Sequence, residues 1–339
     1  MNGTVKKLLI GAGIGAGLAL CGRAISLAIT KKMMGVALDR SVTLEEGSEK
    51  EKLMQSPELL EAMAAAEASA KALENSGCEE VVITAFDGIS LVGHWQSCES
   101  PKRVIVAMHG WRSSWTSDFG VIADFYRKQD CCVLYAEQRG QGESGGDYMG
   151  FGLLERYDCL SWVRWVNERT GGKLPVYLGG VSMGATTVLM ATGLDLPSNV
   201  CGVVADCGFT SPYAIWKHVS EKNLHLPYGP RSKVVDDICR KRINFGAKDY
   251  SCADALAVCK VPVLFVHGTD DRFVPVEMTY ENYKACASSK RLLIVPGAEH
   301  AMSYLVEQQR YEQAVIDFWS EYDAAADAPN GGVCDGQLP

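Results

Sequence analysis

The stretch "GGVSMGA", Gly179 to Ala185, places a serine between glycines at the junction of two apolar runs. A tight turn from a strand into a helix forces its central residue into strained backbone angles, and flanking glycines remove the side chains that would collide there. The hydroxyl of Ser182 would then stand at a helix N-terminus, whose amides favour developing negative charge. The stretch therefore predicts a nucleophilic serine, with the glycine-rich start of a buried helix as the alternative.

Apolar, β-branched runs alternate with helical stretches on both sides of Ser182. In chain order the predicted strands are "RVIVAM", "CVLYA", "PVYLGGV", "CGVVAD", "VPVLFVHG" and "RLLIVPG", and a hairpin with its turn at Asp87-Gly88 precedes them. Continuous apolar strands separated by helices indicate a mostly parallel sheet that helices cover on both faces, which is an α/β fold. In such sheets ligands bind at the carboxyl ends of the strands.

The N-terminal residues 1–32 differ from the rest of the chain. Lysine pairs flank an apolar run from Leu8 to Thr30, which only Arg23 interrupts. About twenty apolar residues suffice to cross a bilayer, so we predict a membrane anchor and a location at the cell membrane. A cleaved signal peptide and a soluble amphipathic segment are the alternatives. Because lysines flank both ends, the pattern favours neither orientation in the membrane.

Composition divides the remaining chain into three parts. Residues 33–77 are predicted to be a linker region that contains one helix with a Ser-Pro start. Residues 78–325 are predicted to form the main domain, and its interruption at about 210–255 is predicted to be a small cap over the carboxyl edge of the sheet. Residues 326–339 are predicted to be a disordered tail.

The charge and histidine patterns argue against two classes of site. The formal net charge is −8 and no block of lysine and arginine resembles a nucleic-acid footprint, so no nucleic-acid partner is predicted. The six histidines are scattered, and neither a CxxC nor an HExxH spacing occurs. We therefore predict no metal site and no cofactor.

A nucleophilic serine needs a base, and the base needs an acid that holds its tautomer. His300 lies in "PGAEHAMSY", after the strand "RLLIV", and its imidazole could reach back over Ser182. Asp270 and Asp271 lie in "HGTDDRFVP", after the strand "VPVLFV", and both are available as the acid. All three loops follow strands, so we expect them at the same edge of the sheet.

Five stretches carry a family resemblance, namely "MHGW", "EQRGQGES", "GGVSMGA", "VHGTDDRFVP" and "PGAEHAMSY". With them, the chain from about Val81 to Trp319 resembles the α/β-hydrolase superfamily and is most similar to bacterial serine hydrolases and esterases related to the prolyl-oligopeptidase-like (S9-like) group. In this family the acid stands four residues after the histidine of the His-Gly strand end. The resemblance therefore implies Asp271, with Asp270 as the lesser candidate, and Asp206 at another strand end is expected to be structural.

The resemblance also implies an oxyanion hole. Its donors would be the backbone N–H groups of Trp111, in "MHGW", and of Met183, next to the nucleophile. His109 is implied to shape this loop rather than to act as a base. The family's usual Arg-Gly-His-Gly reads Arg-Gly-Gln-Gly here, with Gln141 in place of the histidine, and we expect a difference in loop packing or substrate shape.

We predict a serine hydrolase that cleaves small-molecule carboxylic esters with a partly apolar acyl group through an acyl-enzyme intermediate. An S9-like peptidase or amidase is the first alternative, and a non-catalytic, membrane-tethered interaction module is the second. In the cap, Tyr213, Trp216 and Tyr228 either line an apolar acyl pocket or pack the lid.

Overall fold

An eight-stranded sheet forms the centre of the structure, a computed structural model that describes residues 25–42 and 57–326. Its strands are β1 (Glu79–Thr84), β2 (Ser90–Gln96), β3 (Arg103–Met108), β4 (Cys131–Ala136), β5 (Val176–Val181), β6 (Val200–Asp206), β7 (Val263–Gly268) and β8 (Lys290–Val295). The spatial order is β1-β2-β4-β3-β5-β6-β7-β8. Strand β2 pairs antiparallel with β1 and β4, and the other neighbours are parallel. The predicted α/β-hydrolase fold is confirmed.

Helices cover both faces of this sheet. They are α1 (25–38), α2 (Pro57–Glu74), α3 (Trp115–Lys128), α4 (Glu155–Thr170), α5 (Met183–Ala191), α6 (Pro212–His218), α7 (Ser232–Ile243), α8 (Cys252–Leu256), α9 (Val276–Ala285), α10 (Ser303–Val306) and α11 (Gln308–Ala326). A π-helical turn, Val219–Asn223, and a 3₁₀ turn, Gly229–Arg231, lie between α6 and α7.

The central strands are apolar along their whole length because both faces are buried. Every residue of β3 is buried. Val104 and Val106 point into one apolar core, whereas Ile105 and Ala107 point into the core on the opposite face. This alternation is the two-residue period of a strand. It explains why a run such as "RVIVAM" shows no polar face in the sequence.

Helix α1 packs on the main domain. Thr30, Met34 and Leu38, spaced four residues apart, are 2%, 3% and 0% exposed and form one buried stripe. The boundary predicted after residue 32 therefore falls inside a continuous helix. Of the membrane segment predicted over 1–32, residues 1–24 lie outside the described part of the chain. Within the described part, no helix combines the length and the apolar content that crossing a bilayer requires.

The predicted linker region also contacts the domain. Residues 43–56 lie outside the described part, but helix α2 packs closely on α3, where a Cβ added at Gly120 would lie 2.7 Å from the backbone of Ala70. The segment predicted as a cap, 210–255, contains α6, α7 and most of α8. Of the predicted tail, Ala326 ends α11 and the residues after it lie outside the described part.

Candidate active site

Ser182 stands at the turn from β5 into α5, with φ 54° and ψ −114°. This left-handed backbone is costly for a residue that carries a Cβ. Hydrogen bonds hold the turn on both sides: the amide of Ser182 donates to the Asp206 carbonyl at 2.8 Å, and its carbonyl accepts from the Thr186 amide at 3.0 Å. The strained turn predicted from the glycine spacing is the one observed.

The two flanking glycines allow this turn because no side chain fits at either position. A Cβ on Gly180 would lie 2.4 Å from the carbonyl group of Gly184. A Cβ on Gly184 would lie 1.8 Å from the carbonyl oxygen of Met108 at the end of β3. The helix can therefore start close against the neighbouring strand only if these residues are glycine.

Replacing Gly184 with alanine is expected to lower the free energy of unfolding by about 4 kcal/mol, because the added methyl group overlaps backbone that cannot move independently. Urea unfolding measures this change. The matched control is Gly229→Ala, since a Cβ there meets nothing within 4 Å, and a change below about 1 kcal/mol is expected. Equal losses in the two variants would contradict this account of the turn.

His300 connects Ser182 to Asp271. Its Nε2 lies 2.9 Å from the Ser182 hydroxyl oxygen, and its Nδ1 lies 2.6 Å from Oδ2 of Asp271. A carboxylate only accepts hydrogen bonds, so Nδ1 donates its proton to Asp271, and in the neutral imidazole Nε2 is left to accept from the hydroxyl. The three residues named from the sequence thus lie in one hydrogen-bonded chain, in the orientation that a general base requires.

Asp271 is buried and surrounded by donors. Its Oδ1 accepts from the amides of Phe273 and Val274 at 2.9 and 2.8 Å, and its Oδ2 faces His300 and His267. Burial alone would raise the pKa of this carboxyl, but the hydrogen bonds from His267, His300 and the Val274 amide outweigh it and hold the pKa well below its ordinary value. The carboxyl is therefore ionised at neutral pH.

This lowered pKa predicts a pH-dependent contribution of Asp271 to stability. Since the unfolded chain binds the proton first as the pH falls, the contribution is complete above the ordinary carboxyl pKa of about 4 and is lost below it. Urea unfolding of the wild type and of Asp271→Asn should therefore differ more in free energy at pH 6 than at pH 3. A difference of the same size at both pH values would contradict this.

The two other aspartates named from the sequence have different surroundings. Asp270 is exposed, and its Oδ1 accepts from Thr269 at 2.7 Å. The Asp206 side chain accepts from Ser303 at 3.1 Å, and burial raises the pKa of its carboxyl to about 6. Neither carboxylate is hydrogen-bonded to His300.

His109 has both ring nitrogens in use. Nδ1 lies 2.8 Å from the Gly110 carbonyl oxygen, and Nε2 accepts from the Gln138 amide at 3.1 Å. Burial lowers the pKa of this imidazole. The neutral ring therefore stabilises the loop after β3, and neither of its nitrogens is free to accept the proton of the Ser182 hydroxyl.

His267 belongs to the site, although the sequence reasoning assigned it no role. It is fully buried, and its Nε2 lies 2.8 Å from the Val274 carbonyl oxygen and 3.2 Å from Oδ2 of Asp271. A carbonyl only accepts, so this nitrogen carries a proton and also points it toward the carboxylate. Its other nitrogen lies 2.7 Å from the Thr279 hydroxyl. The signal was present, since His267 is the penultimate residue of β7 and lies four residues before Asp271.

The loop after β3 presents one unused amide beside Ser182. Two side chains hold the neighbouring amides: Asp118 accepts from Gly110 at 2.6 Å, and Gln141 accepts from Arg112. Among the described residues no acceptor binds the amide of Trp111 between them. The amide of Met183 is the first of α5 and has no partner within the helix. Among the described residues, both N–H groups are thus without an acceptor.

Gln141 stands where the family resemblance implies a histidine, and the structure shows its contact. The side-chain oxygen of Gln141 accepts from the Arg112 amide, next to Trp111. Gln141 is therefore a positioning residue: its side chain holds the backbone of the loop that carries Trp111.

Replacing Gln141 with leucine is expected to lower kcat about tenfold with little change in KM, because the loop loses the acceptor that orients its amides. Steady-state ester hydrolysis measures both constants. The control is Gln313→Leu, which removes an exposed glutamine of α11. Its kcat should stay within about twofold of the wild-type value. The expectation fails if KM alone changes or if the two variants lose kcat equally.

Three residues whose side chains could bind a metal ion lie together in this site. Donor atoms of Cys207, Asp271 and His300 are within 4.8 Å of one another. However, Asp271 and His300 contact each other directly at 2.6 Å, whereas a zinc ion would separate them with bonds of about 2.0–2.2 Å to each. Their arrangement fits a hydrogen-bonded pair rather than a metal centre.

A cavity of about 350 Å³ opens beside Ser182. Its wall is almost wholly carbon and is contributed by α1, by the loop that carries Trp111, and by the cap. Of the cap aromatics singled out in the sequence, Trp216 and Tyr228 line it, whereas Tyr213 packs behind Tyr228 at a ring-centroid distance of 5.3 Å. The α1 residues of the wall were not expected, because no catalytic signal marks that segment.

Comparison with known proteins places this fold among hydrolases. The model of the prolyl oligopeptidase family matches residues 117–324, more than half of the chain. The uncharacterized protein YqkD of Bacillus subtilis (strain 168) is 29% identical over 186 residues, which are 55% of this chain and 61% of YqkD. This chain thus spans about three fifths of that relative's length.

Two similar proteins carry an activity in their names. The bifunctional esterase/perhydrolase DCH of Acinetobacter calcoaceticus is 23% identical, with 65% of this chain and 92% of that protein covered. Among solved structures, the Pyrococcus furiosus esterase Pf2001 superposes with a TM-score of 0.61 and 22% identity, covering 74% of this chain and 94% of that one. At this identity the structural likeness concerns the fold alone.

Proposed function

The chain belongs to the prolyl oligopeptidase family, and on that premise we propose that it is a serine hydrolase that cleaves carboxylic esters with Ser182 as nucleophile. The observation that carries this proposal is the chain of contacts from Ser182 to His300 at 2.9 Å and from His300 to Asp271 at 2.6 Å. The esterase names of two similar proteins support ester chemistry.

In the first half of the proposed reaction, Ser182 forms a bond to the ester carbonyl carbon while His300 Nε2 takes the hydroxyl proton. The carbonyl π electrons move onto the oxygen, where the amides of Trp111 and Met183 donate to it. Each such donor is worth about 3 kcal/mol in comparable enzymes. The carbon–oxygen bond to the alcohol then breaks, and His300 returns the proton to the leaving alcohol.

In the second half, a water molecule loses a proton to His300 and attacks the acyl-enzyme, and the collapse of that intermediate releases the acid and restores Ser182. Asp271 keeps its negative charge throughout and stabilises the imidazolium that forms in both halves. The lowered pKa of Asp271 suits this task, because the carboxylate does not compete for the proton.

A substrate panel tests the proposal. We expect p-nitrophenyl esters to be hydrolysed with a higher kcat/KM than aminoacyl p-nitroanilides, and we expect a fluorophosphonate to label the wild type but not Ser182→Ala. If the anilides are hydrolysed faster than the esters, the proposed function changes from esterase to peptidase or amidase. Absence of both labelling and turnover in folded wild type would favour an interaction module.

A further inference from the structure

The cavity beside Ser182 has the composition of a site for an apolar chain. Its wall includes six large apolar side chains, those of Met34, Trp111, Phe151, Phe209, Trp216 and Phe273. Polar residues also line it: the Thr30 hydroxyl donates to the Ser26 carbonyl at 2.8 Å, and Lys32 is exposed to solvent. Trp216 Nε1, Tyr228 Oη and Arg231 Nε are buried within the wall and have no hydrogen-bond partner in the described part of the chain. They do not face a ligand, so the cavity offers contacts to hydrocarbon rather than to polar groups.

The position of His300 decides which arm of an ester enters this cavity. In the proposed reaction the leaving alcohol takes its proton from His300 Nε2, so the alcohol must lie against that ring. Ser182 belongs to the cavity lining, whereas His300, among the described residues, does not. The His300 side chain is 26% exposed, which leaves the alcohol a route to solvent. The arm enclosed by the cavity is therefore the acyl group.

The size of the cavity limits the length of that group. The cavity has a volume of about 350 Å³. A group of the size of a water molecule takes up roughly 30 Å³, so the cavity holds about a dozen such groups. A methylene group is similar in size. An acyl chain of about ten carbons therefore fits, and one of two carbons leaves most of the wall without contacts.

Helix α1 closes the cavity on one side and is tied to the oxyanion loop. The Trp111 indole donates to the Ala37 carbonyl at 2.9 Å, and the Arg112 guanidinium donates to the Val36 carbonyl at 2.8 Å. From the cap, Arg242 donates to the Met34 carbonyl at 3.2 Å. The carbonyls of Val36 and Ala37 belong to the last turn of the helix, where carbonyls have no partner within the helix. Met34 is thereby held in the wall, 3% exposed.

We propose that this cavity binds the acyl chain of esters of medium-chain fatty acids, about ten carbons long, and that α1, through Met34, sets the chain length. This inference rests on the proposed ester hydrolysis for the identity of the substrate. The chain-binding site itself depends only on the cavity, and binding can be measured without turnover.

The first experiment compares p-nitrophenyl acetate with p-nitrophenyl decanoate. Each buried methylene group is expected to raise kcat/KM about fourfold. The wild type should therefore hydrolyse the decanoate ester with a kcat/KM at least 100-fold higher than that for the acetate ester. Met34→Trp fills part of the cavity and should lower this preference at least tenfold. Met63→Trp, on the exposed face of α2, is the matched control and should keep the wild-type preference. Val235→Phe, in the part of the wall that the cap contributes, repeats the test should Met34→Trp fail to fold.

The second experiment measures binding of decanoate to Ser182→Ala by calorimetry. Met34→Trp in that background should weaken binding at least tenfold. If no ester of any length is hydrolysed but decanoate binds and Met34→Trp abolishes the binding, the proposed function fails and the chain site stands. If esters are hydrolysed without any dependence on acyl length, or if folded Met34→Trp and Val235→Phe keep the wild-type preference, the chain site is overturned.

Discussion

Replacement of Ser182 by alanine is expected to lower kcat for p-nitrophenyl esters by about 10⁶-fold, the size of loss seen when a triad serine is removed. The physical reason is that the hydroxyl oxygen 2.9 Å from His300 Nε2 is the atom that would bond to the carbonyl carbon. His109 cannot take over its role, since both of its ring nitrogens are engaged. Initial rates with acetate and decanoate esters measure the loss.

The matched control for this variant is Ser161→Ala. Ser161 lies on α4, and its hydroxyl donates only to the Tyr157 carbonyl one turn earlier. Both variants remove a single serine hydroxyl, so similar melting temperatures and very different rates are expected. If Ser182→Ala kept more than about one per cent of the wild-type rate while folded, Ser182 would not be the nucleophile.

Replacement of Asp271 by asparagine is expected to lower kcat about 10⁴-fold, which is the loss known for the same change in a serine protease triad. Two backbone amides and two imidazoles face this carboxylate. An asparagine must direct its own NH₂ group at one of these donors, and turning it toward His300 would select the wrong imidazole tautomer. The pH–rate profile and kcat with a single ester measure the effect.

Asp270→Asn is the matched control, because it makes the same change one residue away. That carboxylate is exposed and bonds only to the Thr269 side chain next to it. We expect its kcat to remain within about threefold of wild type. The assignment would be reversed if Asp270→Asn lost the larger share of activity, and it would be wrong altogether if neither variant lost more than tenfold.

Much of this site could be predicted because the relevant signals are local. A parallel strand covered on both faces must be apolar throughout, as β3 is. The turn at Ser182 needs glycine on both sides, since a Cβ at either would lie within 2.4 Å of backbone atoms. Parallel strands bring their carboxyl ends to one edge. Ser182 and His300 could therefore be paired although they are 118 positions apart.

Other parts of the site carry no local signal. Helix α1 joins the end of the predicted membrane anchor to the start of the predicted linker region, and only its packing shows that Met34 forms part of the cavity wall. Gln141 reads as a departure from the family pattern, and only the bond to the Arg112 amide shows what it positions. The sequence shows His267 only as part of a strand end, whereas the structure shows its contact with Asp271.

The amino-acid sequence by itself determined the order and type of the strands, the strained turn at the serine, and the edge of the sheet where the loops meet. Periodicity and glycine spacing act over a few residues, so they are readable without a fold. The tertiary structure showed that Asp271, which the resemblance favoured over Asp270, faces His300, and it alone decided that α1 encloses the cavity. Those outcomes depend on the direction of side chains and on contacts between distant segments, which packing selects only when the whole chain has folded.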